Sequence, residues 1–173
     1  MKLLDSRRLT GPNILSDNPG AIIDVRLESD EFEPFVSAWQ AAATSMLEAV
    51  GWRGQALHVR RMAAGASLGF DAPIDALYAA TEINDWAFES ARLKLEDRDT
   101  LPVVGDATRL AKLIEEELNP DLIRLRDAAV EHDLPFLSDD DHASIGFGCC
   151  SKTWPVSSLP APEDVPWDEL GKI

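Results

Sequence analysis

The stretch Ala21-Ile22-Ile23-Asp24-Val25-Arg26-Leu27 decides the fold class, because its apolar residues alternate with polar ones. Such alternation predicts a β-strand with one buried face. Residues 33–50 follow with apolar side chains at helical spacing. Pro34 suits the first turn of a helix there, and Gly51 suits its end. Residues 55–62 predict a second strand. A strand, a helix and a strand in this order indicate a βαβ unit or a split variant of one.

The rest of the chain is predicted to be helical and then to form short strands. Small residues over 63–69 predict a loop of close chain packing. Helices are expected over 71–95 and 106–118, and a third helix follows to about residue 132. Asp71 and Asp106 are the expected N-caps of the helices over 71–95 and 106–118. Short strands are expected within 135–156.

The order of these elements predicts an α+β fold. We expect a two-layer α/β sandwich, in which a small, mostly antiparallel or mixed sheet has helices on one face. One domain is expected over 1–156. The prolines of 157–173 predict a linker or an extended tail. The sequence shows no internal repeat.

Composition excludes several classes of function. The chain has 173 residues and a formal net charge of −15, which argues against a nucleic-acid partner because phosphate contacts need Lys and Arg. The sequence contains no run of about 18 apolar residues, so no membrane-spanning helix is predicted. The N-terminus becomes charged too early for a secretory signal. The two cysteines, Cys149 and Cys150, are adjacent and suit a reducing compartment, so a cytoplasmic protein is expected.

The charge is distributed unevenly along the chain. Residues 1–70 contain 8 acids and 7 bases, whereas residues 71–173 contain 23 acids and 9 bases. One interpretation is that the acids only keep the protein soluble. The other is an acidic face that attracts a cationic ligand or partner.

The predicted helix over 71–95 has the most informative pattern. Polar residues recur on one face at spacings of three and four: Asp75, Tyr78, Glu82, Asp85 and Glu89. We call these five residues the acidic stripe. It is either a solvent-exposed face or a substrate-binding groove for a guanidinium, which carboxylates accept in bidentate fashion.

Two arginines complete the predicted substrate site. Arg60 and Arg61 lie in the predicted strand over 55–62 and are expected to point to opposite faces of the sheet. One of them binds a ligand carboxylate in this hypothesis. In the alternative, each pairs with a neighbouring acid.

Other motifs give no site. The loop over 63–69 lacks the lysine of a phosphate-binding loop. The acids of 139–141 followed by His142 indicate a solvated turn, and Cys149-Cys150 lacks the spacing of a zinc or redox pair. Gly146–Cys150 has only a weak likeness to a nucleophile turn. We therefore expect neither a metal nor a cofactor.

The segment Arg8-Leu9-Thr10-Gly11-Pro12-Asn13-Ile14, followed by the strand over 21–27, resembles the start of cyanophycin synthetases and related Mur-ligase-like proteins. The Gly11-Pro12-Asn13 turn is its specific motif. The ending, from Ser151-Lys152-Thr153-Trp154 through a proline-rich stretch, also looks similar. This resemblance implies an N-terminal accessory domain that stops near Ile173, where the ATP-binding ligase domain of the relatives would begin.

The resemblance implies a non-catalytic module that binds substrate. Its partners would be a Mur-ligase-like ATP-binding domain, in cis or in trans, and an arginine-containing peptide. The relatives' metal-dependent peptidase activity is not expected, because no histidine lies in 59–131. One alternative is a stand-alone hydrolase or transferase acting on amino-acid derivatives through His58, Glu82 and Asp85. Another is a scaffold that forms homo-oligomers through its tryptophans.

Overall fold

The computed structural model describes residues 1–171. The chain divides into two compact units, Met1–Glu117 and Leu118–Ile173. This boundary differs from residue 156, where the sequence favoured the end of a domain. Both units combine helices with an antiparallel sheet, which confirms the α+β class. No helix within residues 1–171 has the length and apolar character needed to cross a bilayer.

The first unit has a four-stranded sheet with two helices on one face. Its elements are β1 (Lys2–Leu9), β2 (Gly20–Arg26), α1 (Phe32–Ala49), β3 (Leu57–Met62), β4 (Gly65–Asp71), α2 (Leu77–Leu95) and α3 (Val103–Glu117). The strand order is β1-β2-β4-β3, and all neighbours are antiparallel. Because β2 and β3 are both antiparallel to β4, they are parallel to each other. The predicted split βαβ unit is therefore present, with β4 inserted between its strands.

The predicted loop over 63–69 is wrong, since most of it lies in the central strand β4. Its small residues are required by the close approach of β2. A Cβ atom on Gly65 would lie 1.8 Å from the carbonyl oxygen of Val25, and one on Gly69 would lie 2.6 Å from that of Ala21. Asp71 ends this strand and caps no helix, and α2 begins six residues later, at Leu77.

The first unit contains a structural repeat that the sequence did not reveal. A ββα motif occurs twice, as β1-β2-α1 and as β3-β4-α2, and the inner strands β2 and β4 pair at the centre. Their register is symmetric, because the first residue of each strand opposes the last residue of the other: Gly20 opposes Asp71, and Gly65 opposes Arg26. The expectation of no internal repeat therefore holds for the sequence and fails for the topology.

One buried polar link joins both repeats. Asn84 of α2 is fully buried, accepts a hydrogen bond from the Trp39 indole of α1 at 2.9 Å and donates one to the carbonyl of Leu68 in β4 at 3.2 Å. Apolar side chains from both helices and from β2 and β4 surround it. The largest fully buried ones are Trp39, Phe35, Phe70, Ile22, Ile23, Met46, Leu68 and Ile83.

Helix α3 begins at Val103, before the predicted cap Asp106. Asp106 instead accepts a hydrogen bond from the indole of Trp86 at 2.9 Å. The break after α3 is as predicted. Asn119 caps the next helix by accepting from the backbone N–H of Leu122, and Pro120 occupies the first turn.

The second unit contains α4 (Pro120–Glu131), the sheet β5-β6-β7 and the one-turn helix α5 (Trp167–Leu170). Its strands are Phe136–Ser138, His142–Ile145 and Lys152–Pro155, so the predicted short strands are present. The linker predicted over 157–173 is wrong for its described part. Val165 and Leu170 are buried against Leu125 and Ile145 in the core of this unit. Residues 172 and 173 lie outside the described residues.

Candidate functional site

The N-terminus of α2 is capped by a residue from a different helix. One carboxylate oxygen of Glu117, at the end of α3, accepts from the N–H of Tyr78 at 2.9 Å, and the other accepts from that of Ala79 at 2.6 Å. The N-cap residue, Ala76, has no side-chain acceptor. Glu117 thus satisfies two of the free N–H groups and places negative charge at the positive end of the helix. This cap was missed from the sequence, because that role was assigned to Asp71, which lies six residues before the helix.

The pKa of the Glu117 carboxyl is raised above its usual value. Burial is the largest influence and raises its pKa, and the nearby charge of Asp75 raises it further. The two backbone N–H groups and the charge of Arg8, on β1, act in the opposite direction without cancelling the effect. Asp75 and Glu117 thus place two carboxyl groups beside the start of α2, where the charge of Arg8 acts on Glu117.

The structure places the acidic stripe along α2 and at its entrance. Asp75 lies in the turn before the helix, and Tyr78 is 51% exposed. Glu82 accepts from Arg109 of α3 at 3.2 Å, through a single contact between partly exposed groups. Both members of this ion pair belong to the surface formed by α2 and α3.

Glu89 shows the geometry that the sequence hypothesis requires. Its two carboxylate oxygens accept from Nε and Nη2 of Arg92 at 2.9 and 2.5 Å, which is a bidentate guanidinium–carboxylate pair. Arg92 also donates to Glu96 at 2.6 Å. The guanidinium groups that Glu82 and Glu89 contact, those of Arg109 and Arg92, therefore belong to this chain.

Asp85 is a partly buried carboxylate of the stripe. One of its oxygens is buried opposite the Ser6 hydroxyl of β1, and within residues 1–171 neither atom has a hydrogen bond of acceptable geometry. Burial raises the pKa of Asp85 most strongly. The Ser6 hydroxyl opposes this effect, and the charge of Glu82 reinforces it.

Arg60 and Arg61 point to opposite faces of the sheet, as expected. The Arg61 guanidinium lies 4.2 Å above the ring centre of Phe32, at the start of α1, on the helix-covered face. Arg60 is exposed on the other face, opposite Ser67. Both belong to β3, at the opposite edge of the sheet from β1 and its contact with Asp85. The structure does not unite them with the acidic stripe, where Arg92 and Arg109 are found instead.

The face of the sheet opposite the helices has its own polar network. Asp24 accepts from Arg7 at 2.8 Å and from the Ser67 hydroxyl at 2.6 Å. Burial alone would raise the pKa of Asp24, but these two hydrogen bonds and the charge of Arg7 bring it below its usual value. Asp24 is consequently an anion with both oxygens engaged.

The turn Gly11-Pro12-Asn13 organises the loop between β1 and β2. The Asn13 side chain accepts from two backbone N–H groups, those of residues 15 and 16, and donates to the carbonyls of residues 11 and 18. Asn18 of the same loop donates to Asp71 at 2.9 Å. The motif that supports the resemblance thus fixes the shape of this loop.

His58 also lies on the face of the sheet opposite the helices. Its Nε2 atom lies 2.7 Å from Asp71, whose other oxygen accepts from Asn18. Glu82 and Asp85 lie on the helix side of the sheet, so the structure does not assemble His58 with the other two residues proposed for a small enzyme.

The turn over 139–142 is held by its own backbone. Asp139 accepts from the N–H groups of Asp141 and His142 at 2.9 and 2.7 Å. Within the described residues, no three His, Cys, Asp or Glu side chains are grouped as metal ligands. No protein-family model matches the chain, and no curated protein matches its sequence.

Proposed function

We propose that this chain is a non-catalytic module that binds an arginine-bearing peptide for an ATP-dependent amide ligase resembling cyanophycin synthetase. The ligase domain acts in cis or in trans, in the cytoplasm. The observation that supports this proposal best is the bidentate pairing of Glu89 with Arg92 on the acidic stripe. The stripe accepts guanidinium groups, and a substrate arginine presents the same group.

Glu82 is the carboxylate that we expect a ligand to engage. Its pair with Arg109 has one contact, and the two side chains are 34% and 53% exposed. Exposed pairs of this kind contribute only about 0–1 kcal/mol. A ligand guanidinium can therefore replace Arg109 at little cost, while the exposed ring of Tyr78 offers a surface for stacking.

Titration calorimetry with an Asp-Arg dipeptide tests the binding function. We expect heat from Asp-Arg and at least a tenfold loss of affinity for an Asp-citrulline dipeptide, which keeps the shape and removes the charge. Glu82→Gln should weaken binding similarly. Glu48→Gln, on the exposed side of α1, is the matched control and should bind normally. Equal affinity for both dipeptides would contradict the proposal.

The ligase partnership needs a separate experiment. The ATP-binding part of a cyanophycin-synthetase-like ligase, mixed with this chain, should co-elute with it in gel filtration. Its rate of amide formation should rise when the chain is added. A chain that binds Asp-Arg but neither co-elutes nor changes the rate would keep the binding function and refute the partnership.

A second candidate function rests on the His58–Asp71 pair. An imidazole oriented by a carboxylate is the usual arrangement of a general base. In this alternative the chain hydrolyses or transfers amino-acid derivatives at the second face of the sheet. Purified chain should then release product from amino-acid esters, and His58→Gln should abolish the release. Absence of turnover with the wild-type chain would refute this alternative.

A further inference from the structure

Three cations stand together on the face of the sheet that lacks helices. Lys2 directly opposes Arg26 across β1 and β2, and Arg60 opposes Ser67 across β3 and β4. All three side chains are exposed. Ser67 binds Asp24 on this face, and Arg26 follows Asp24 by two residues, so the three cations share that face. We call Lys2, Arg26 and Arg60 the basic patch.

The basic patch costs the sheet stability. Like charges directly opposite each other on antiparallel strands repel, as Lys2 and Arg26 do. Within residues 1–171, none of the three cations forms an ion pair with an acid. Asp5 and Asp24, which oppose each other on this face, are both engaged by Arg7, and Asp24 also accepts from Ser67.

Three cations without an ion pair are unexpected in so acidic a protein. The protein has 31 acidic residues and 16 basic ones, so acids to neutralise a strand pair are plentiful. A local cluster of uncompensated cations raises the concentration of anions at one place on a protein that otherwise repels them. Gly65 lies between Arg26 and Met62 in the same row and leaves a gap without a side chain.

We infer that the basic patch is an interaction surface for an acidic, extended peptide segment of a partner protein. Neighbouring strands lie about 4.8 Å apart, so Lys2 and Arg26 are one strand spacing apart. Arg60 is two spacings beyond β2 and is displaced by two residues along the strands, in the row of Asp24. A single phosphate is too small to contact all three cations. Side chains on one face of an extended peptide repeat every 6.5–7 Å or so, which lets alternate carboxylates reach successive cations.

This surface is independent of the proposed function, because it lies on the opposite side of the sheet from the acidic stripe and binds the opposite charge. Charge-assisted hydrogen bonds to carboxylates provide the affinity, and the surrounding negative charge restricts binding to segments that match the patch.

Fluorescence anisotropy with a labelled peptide of alternating Asp and Ala tests the inference. Arg26→Gln and Arg60→Gln should each weaken binding about tenfold, because each removes a hydrogen bond to a charged group. Both substitutions should also reduce its salt dependence. Arg53→Gln, at an exposed arginine in the loop before β3, is the control and should bind as the wild type does. Circular dichroism of each variant checks that it is folded.

Three results would overturn the inference. The first is no binding of the acidic peptide by the wild-type chain at low salt. The second is competition by inorganic phosphate at concentrations equal to those of the peptide, which would indicate a small-anion site. The third is salt-sensitive self-association that Arg26→Gln abolishes, which would make a second copy of the chain the occupant.

Discussion

Substituting Asn84 by Ala should destabilise the first unit severely. Asn84 is fully buried, and its side chain joins α1, α2 and β4 through two hydrogen bonds, to Trp39 and to Leu68. The substitution removes both bonds and leaves the Trp39 indole N–H without an acceptor in an apolar core. A buried donor without a partner is the most expensive outcome of losing a hydrogen bond.

The expected loss follows from these contacts. An unpaired buried donor costs about 1–3 kcal/mol, and the lost bond to Leu68 adds about 1 kcal/mol. The free energy of unfolding should therefore fall by about 3 kcal/mol, a large part of the 5–15 kcal/mol that stabilises most domains. Asn18→Ala is the comparison, because Asn18 is exposed and bonds one side chain, Asp71. It should cost at most about 1 kcal/mol.

Urea denaturation followed by circular dichroism measures the loss, and hydrogen exchange of the β4 amides assigns it to the first unit. Trp39→Phe removes the same indole N–H, so the double variant should lose less than the sum of the single variants. A loss below about 1 kcal/mol for Asn84→Ala, or strict additivity with Trp39→Phe, would refute the reasoning.

Three further predictions concern the same unit. Gly65→Ala should prevent stable folding, because a Cβ atom there would overlap a carbonyl oxygen. Gly105→Ala, at an open position of α3, is the control and should raise stability by up to about 1 kcal/mol in thermal melts. Glu117→Ala should cost about 1 kcal/mol and speed hydrogen exchange at the first turn of α2; unchanged exchange would contradict the capping role. Because the pKa of Asp85 is raised, wild-type stability should fall as pH rises from the usual Asp range through the raised value. Asp85→Asn should therefore be more stable than the wild type in urea at pH 7, with the advantage vanishing near pH 4, and a constant difference would contradict this prediction.

The fold could be predicted where side chains alternate or follow helical spacing. The strand beginning at Gly20, the helix α1 and the strand β3 were predicted because their apolar and polar residues alternate along the sequence or recur at helical spacing. The central strand β4 was missed because its glycines leave little pattern, although they permit the close approach of β2. A central strand that is buried on both faces and built from small residues has a sequence pattern that is difficult to distinguish from that of a loop.

The candidate site was predicted only in part. Helical spacing placed Tyr78, Glu82 and Glu89 on one face of α2, and the structure has them there. Their partners depend on tertiary packing, which local sequence does not encode. Arg109 reaches Glu82 from 27 residues away, and Glu117 caps α2 from 39 residues beyond Tyr78.

The repeated ββα motif places Arg7 and Arg60 at equivalent positions, of which only the first is neutralised in the described part of the chain. Arg7 on β1 opposes Ile22, the third residue of β2, and Arg60 on β3 opposes Ser67, the third residue of β4. Arg7 pairs with Asp24, the fifth residue of β2, whereas the fifth residue of β4 is Gly69, where the close approach of β2 leaves no room for a side chain. Arg7 also pairs with Asp5, two residues before it on β1, whereas the residue two before Arg60 is His58.

Packing therefore excludes an acid at position 69, but it does not require an arginine at position 60. An exposed cation that forms no ion pair within residues 1–171 is free to bind the acidic peptide proposed above. Arg60→Gln should accordingly weaken binding of the acidic peptide and leave the free energy of unfolding unchanged or slightly raised. A clear loss of stability in urea would show that Arg60 serves the sheet itself.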